Sequence, residues 1–144
     1  MFLRFFWYTT DMKEITQKWL PYSKADLVSA KVLLSKKNIN QWTKLLSLYH
    51  CQQAIEKILK AIMIEDNKEI FKVHDLLRLI KLADVGLSQK QQEFILSLNS
   101  YYLISRYPDL QGRPLENPRL SLVKDFLRST EELYLFLEKK LKKK

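Results

Sequence analysis

From Gln41 to Glu65 the chain reads QWTKLLSLYHCQQAIEKILKAIMIE, without proline or glycine. At about 100° per residue, Cys51, Ala54, Ile55, Ile58, Leu59, Ala61 and Ile62 cover one broad face of a helix. His50, Gln52, Gln53, Glu56, Lys57 and Lys60 fill the opposite side. An apolar face that wide predicts a central helix touching several neighbours. The polar side has two readings. It is either a solvated flank, with Glu56 and Lys57 pairing to neighbouring helices, or a stripe that accepts a phosphate and a base. In the second reading His50, Gln53 and Lys57 follow one another at one-turn steps.

Four more helical segments flank this one. The first spans residues 12–37, with Pro21 either kinking it or resetting it at a first-turn position. Ala25, Leu27, Ala30, Val32, Leu33 and Leu34 give it an apolar side, and Asn38-Ile39-Asn40 ends it. A short third helix runs from Asp75, a candidate N-cap, to Ala83, with Gly86 as the stop signal. The fourth, residues 88–105, opens on a capping box of Ser88 and Gln91 and presents Phe94, Ile95, Leu98, Tyr101 and Tyr102. Residues 106–118 hold three of the four prolines and read as loop. The last helix, residues 119–140, repeats Leu120, Val123, Phe126, Leu127, Thr130, Leu133, Tyr134 and Leu137 at helical spacing. No repeat or linker divides the chain. The expectation is one all-α domain, a single up-and-down antiparallel bundle of four to five helices over residues 12–144.

Composition narrows the function. With 144 residues there is room for one domain, and two glycines cannot build the glycine-rich signatures of dinucleotide folds, P-loop NTPases or α/β-hydrolases. Cys51 is the only cysteine, so no intramolecular disulfide forms, and its apolar neighbours mark it as a small buried hydrophobe. No run approaches the roughly 20 apolar residues of a membrane span. A cytoplasmic protein is expected. Residues 1–11, MFLRFFWYTTD, lack a signal-peptide cleavage site. They read either as an extension ahead of a start at Met12 or as aromatics that dock on a hydrophobic patch or a second subunit. Lys and Arg number 25 against 16 Asp and Glu, a net charge of +9. Lys139, Lys140, Lys142, Lys143 and Lys144 carry much of it. They suit a helix C-terminus, or attract RNA, DNA or polyphosphate, although no aromatic residue interleaves to stack bases.

Three stretches together resemble one family. They are Trp19…Ala25-Asp26-Leu27…Ala30…Leu33-Leu34, then His50-Cys-Gln-Gln-Ala-Ile-Glu-Lys-Ile-Leu-Lys-Ala-Ile62, then His74-Asp-Leu-Leu77 with Asn99-Ser-Tyr-Tyr-Leu-Ile-Ser-Arg-Tyr-Pro-Asp109. The pattern is similar to the HEPN domain, the higher eukaryotes and prokaryotes nucleotide-binding domain, over residues 12–137. The resemblance implies a four- to five-helix bundle that forms homodimers and works in nucleotide or RNA chemistry. It also implies a partner, a minimal nucleotidyltransferase, often within a toxin–antitoxin pair. Ribonuclease members carry an Arg followed four to six residues later by a His, placed across the dimer interface. Arg106 matches the Arg, but Tyr107 to Arg113 contain no histidine.

The candidate polar patch is therefore Arg106, Asp109, His50, Gln53 and Lys57. Arg106 supplies a bidentate cation for phosphate, or pairs with Asp109 to fasten the Pro108 turn. RNA cleavage without metal also needs a base and an acid, and only His50 and His74 are imidazoles. His74 precedes a helix start, where its ring is expected to bond a free backbone N–H. Tyr101, Tyr102 and Tyr107 stack a base, or belong to the core or a dimer interface. Glu131 and Glu132 read as a solvated face. His50 and Cys51 diverge on the helix, and no H-x₃-H or C-x₂-C spacing exists, so neither metal nor cofactor is expected. The leading reading is a non-catalytic nucleotide-binding partner of a nucleotidyltransferase. The alternative is a metal-independent dimeric endoribonuclease toxin in which His50 replaces the missing histidine. A third is an assembly module built only for dimerisation.

Overall fold

The computed structural model describes residues 12–70, 72–106 and 117–143, with the backbone alone for 102–106. The expectations for residues 1–11 and for most of the proline-bearing loop lie outside the described residues. Five helices follow in order: α1 (Glu14–Ser35), α2 (Gln41–Glu65), α3 (Leu76–Ala83), α4 (Gln89–Arg106) and α5 (Leu120–Lys142). Among the described residues no helix is long and apolar enough to cross a membrane.

Local chemistry sets the helix ends. Asn40 starts α2 rather than closing α1, which stops at Ser35. Its side chain accepts from the amides of Trp42 and Thr43 at 3.0 Å, and the Thr43 hydroxyl accepts from the Asn40 amide at 2.9 Å. α2 ends on a Schellman turn: Lys68 N–H reaches the Met63 carbonyl at 2.8 Å, Asn67 N–H the Ile64 carbonyl at 3.1 Å. Asn67 takes the left-handed conformation there, with φ 59°. Asp75 caps α3, and Ser88 and Gln91 form the expected reciprocal box ahead of α4. The stop after α3 is Asp84, left-handed at φ 52°, and Gly86 adds a second positive φ two residues on. Pro21 lies inside α1 on its exposed side, and the helix continues through it.

The topology follows from cross-helix bonds. Thr16 bonds Glu65 and Ser47 bonds the Ala30 carbonyl, so α1 and α2 are antiparallel. Lys24 pairs with Glu138 and Lys31 with Glu131, which sets α5 antiparallel to α1 and hence parallel to α2. α3 runs down to Lys68, whose ammonium donates to the carbonyls of Leu82 and Ala83. α4 then climbs back, and Asn99 accepts from the Leu76 amide at the head of α3. The four long helices thus alternate in direction, with α3 inserted as a short strut. α2 packs on all the others. Cys51, Ala54, Ile55, Ile58, Leu59, Ala61 and Ile62 are fully buried against Ala30, Leu79, Ile95, Leu98, Val123 and Leu137. Three helices end at the foot of the bundle, where Lys13, Lys68, Lys139, Lys140 and Lys142 answer the negative ends of their dipoles. Much of the positive charge there has this structural use.

Candidate functional site

Enclosing α2 on all sides changes the meaning of its polar flank. Gln52, Gln53, Glu56 and Lys60 are buried, against the expectation of a solvated face. Buried polar groups need partners, and these residues supply them to one another and to His74, just ahead of α3. Gln53 donates to the Gln52 side chain at 2.9 Å, and Gln52 donates to the His74 carbonyl at 3.0 Å. Glu56, 3% exposed, meets His74 Nδ1 at 2.8 Å and Lys60 Nζ at 3.8 Å. His74 therefore meets a carboxylate of α2 through Nδ1. The reason is proximity: a carboxylate buried on the hub helix lies directly under the start of α3 and requires a donor.

His50 and Lys57 behave differently. Both turn toward Asp26 of α1, which is 8% exposed. His50 Nδ1 lies 2.8 Å from Oδ1 and Lys57 Nζ 2.5 Å from Oδ2. Seven residues of helix separate the two donors, about 10 Å of rise, so the carboxylate draws them in from above and below. With Nδ1–H donating to Asp26, a neutral imidazole presents Nε2 as an acceptor or base. That nitrogen has no hydrogen-bond partner among the described residues. The His50 and Lys57 side chains keep about a quarter of their surface, 26% each, open to water. Chemically the cluster can hold an anion beside an oriented base.

Sequence reading missed Asp26 as a site residue. Its signal was position: Ser23, Asp26, Ala30 and Leu34 form the inward stripe of α1, and a carboxylate on such a stripe must find donors on the facing helix. Of the proposed patch, the structure brings His50 and Lys57 together and turns Gln53 inward to Gln52. Arg106 ends α4, two turns beyond Asn99, and its side chain lies outside the described residues, as do Asp109, Tyr107 and the side chain of Tyr102. Tyr101 packs edge-on against Phe126, with ring centres 5.2 Å apart. Cys51 is fully buried, and desolvation pushes its thiol up to about 12.

One turn before Asp26 on α1 is a depression of about 300 Å³ lined by Ile15, Lys18, Trp19, Tyr22 and Lys57. Its walls are almost wholly apolar, and Lys57 is common to it and the Asp26 cluster. A second depression, about 360 Å³, lies between the end of α3 and the start of α4 and shares no residue with these groups.

A HEPN domain is matched over residues 16–140. The fold is similar to the crystal structure of TT1696 from Thermus thermophilus, with a TM-score of 0.75, 22% sequence identity, and coverage of 89% of this chain and 99% of that one. No curated protein matches the sequence. With the family signature spanning nearly every described helix, from the buried Thr16 of α1 to the last turn of α5, the chain belongs to the HEPN domain family.

Proposed function

We propose that this protein is a nucleotide-binding HEPN domain that acts, as a homodimer, beside a minimal nucleotidyltransferase in a toxin–antitoxin pair. The observation that carries the reading is the Asp26 cluster: an imidazole and an ammonium drawn to one buried carboxylate, each partly open to water. In this reading Lys57 supplies the phosphate contact, joined by His50 in the doubly protonated form whose Nε2–H can donate, with Arg106 and Asp109 completing the patch from the end of α4 and the segment after it. Gln53 holds the floor through Gln52. Calorimetry with ATP should show saturable binding that His50→Ala and Lys57→Met each weaken about tenfold, the worth of one charge-assisted bond. Absence of heat with ATP and with short single-stranded RNA alike would end this reading.

A second reading has its own observation. The Asp26 carboxylate fixes the His50 ring so that Nε2 is the basic nitrogen, as general-base catalysis of RNA cleavage requires. A metal-independent endoribonuclease of this kind cuts single-stranded RNA in the presence of chelator. Arg106→Ala and His50→Ala should each abolish cutting; unchanged cutting in either variant would dismiss it.

A further inference from the structure

We infer that the depression on α1 is the seat of the base of a bound nucleoside phosphate. Ile15, Trp19 and Tyr22 fall at i, i+4 and i+7, so one face of α1 presents an aliphatic and two aromatic side chains in line. Tyr22 is 68% exposed and Ile15 49%, a large apolar surface for residues of a packed helix. The space of about 300 Å³ is the size of a small-ligand site and admits a nucleobase with its sugar. Two cations, Lys18 and Lys57, stand on its rim.

The choice of occupant comes from the neighbouring charge. Tyr22 and Asp26 are one helical turn apart, about 6 Å of rise, which is the scale of the reach from a base to its first phosphate. A base lying on Tyr22 and Trp19 thus places that phosphate at Lys57. Asp26 stays behind His50 and Lys57 and nearly buried, so its own charge faces inward. A purely hydrophobic partner would not use these cations, and a bare polyphosphate would not use the rings. A nucleoside phosphate uses both. The walls offer almost no hydrogen-bonding groups to a base edge, so the site reads the aromatic face and not the base identity.

This rests on the nucleotide-binding reading, and the experiment separates the two. ATP, GTP and inorganic tripolyphosphate are titrated into the full chain by calorimetry, with Tyr22→Ala, Tyr22→Phe and Lys57→Met alongside. ATP and GTP should bind within about threefold of each other, and tripolyphosphate about tenfold more weakly. Tyr22→Ala should weaken ATP about tenfold without changing tripolyphosphate, the loss expected of one stacking ring. Tyr22→Phe should restore it, and Lys57→Met should weaken all three. ATP binding that falls with Lys57→Met but stays within twofold in Tyr22→Ala would overturn the base seat while leaving nucleotide binding standing. No binding of ATP or GTP at all would overturn the base seat, and no binding of short single-stranded RNA besides would overturn the nucleotide-binding reading as well. Should Tyr22→Ala turn a dimer into a monomer in light scattering with ATP affinity unchanged, the face serves a second copy and the base seat is refuted.

Discussion

Cys51 and Tyr134 show how single residues tie this fold to pH. Burial raises the thiol from an ordinary 9.0 to about 12. It also raises the Tyr134 phenol, bonded to Ser23 at 2.7 Å, from 10.0 to about 12. Both groups keep their proton in the folded chain at a pH where the unfolded chain has lost it. Their contribution to stability is therefore complete below about pH 9 and is withdrawn as pH climbs toward 12. Urea midpoints should stay level from pH 7 to 9 and fall steeply beyond; a flat profile to pH 11 would contradict the burial of these two groups. Cys51 was legible because its neighbours repeat with the helix. The partners of His50 and His74 were not. Which carboxylate faces an imidazole depends on the register between α1, α2 and α3, and a single-chain pattern does not encode that register.

At the scale of elements, the helices were legible where propensity and period agree, and their ends where a cap stands in its usual place. Ser88 with Gln91 is such a case. Asn40 is not: the same residue type that closes one helix opens the next, and only the reciprocal bond with Thr43 decides. Asn40→Ala removes the side-chain half of that box and should cost about 1 kcal/mol in urea unfolding. Asn40→Ser should recover most of the loss. A cost near zero would mean that the Lys44 ammonium, pinned to Asn117 and the Pro118 carbonyl at 2.6 Å, fixes this end of α2 unaided. Pro21 reads in sequence as a break or a kink, yet α1 runs from Glu14 to Ser35 through it, with the proline on the exposed side, where water can meet the carbonyl that its missing N–H leaves without a donor.

For the whole molecule, the bundle has one hub. α2 meets each of the other helices, so damage to it is shared by all of them. Ile58, fully buried, lies past its middle. Ile58→Ala should cost about 2–5 kcal/mol, a large part of the 5–15 kcal/mol that holds a typical domain together. Loss of helix by circular dichroism and of tertiary signal by tryptophan emission should coincide in that variant; separate transitions would show that the helices do not fold as one unit. The class of fold was readable because a wide apolar face on one long helix leaves few other solutions. The site was readable only in part, since the burial of Gln53, Glu56 and Lys60 is a property of assembly. The silence of the native thiol has a practical consequence. A cysteine introduced at the exposed Glu132 would be the one position that a nitroxide reagent reaches, with no need to remove Cys51. If two copies pair as proposed, dipolar spectroscopy on that singly labelled chain would measure the spacing between them directly.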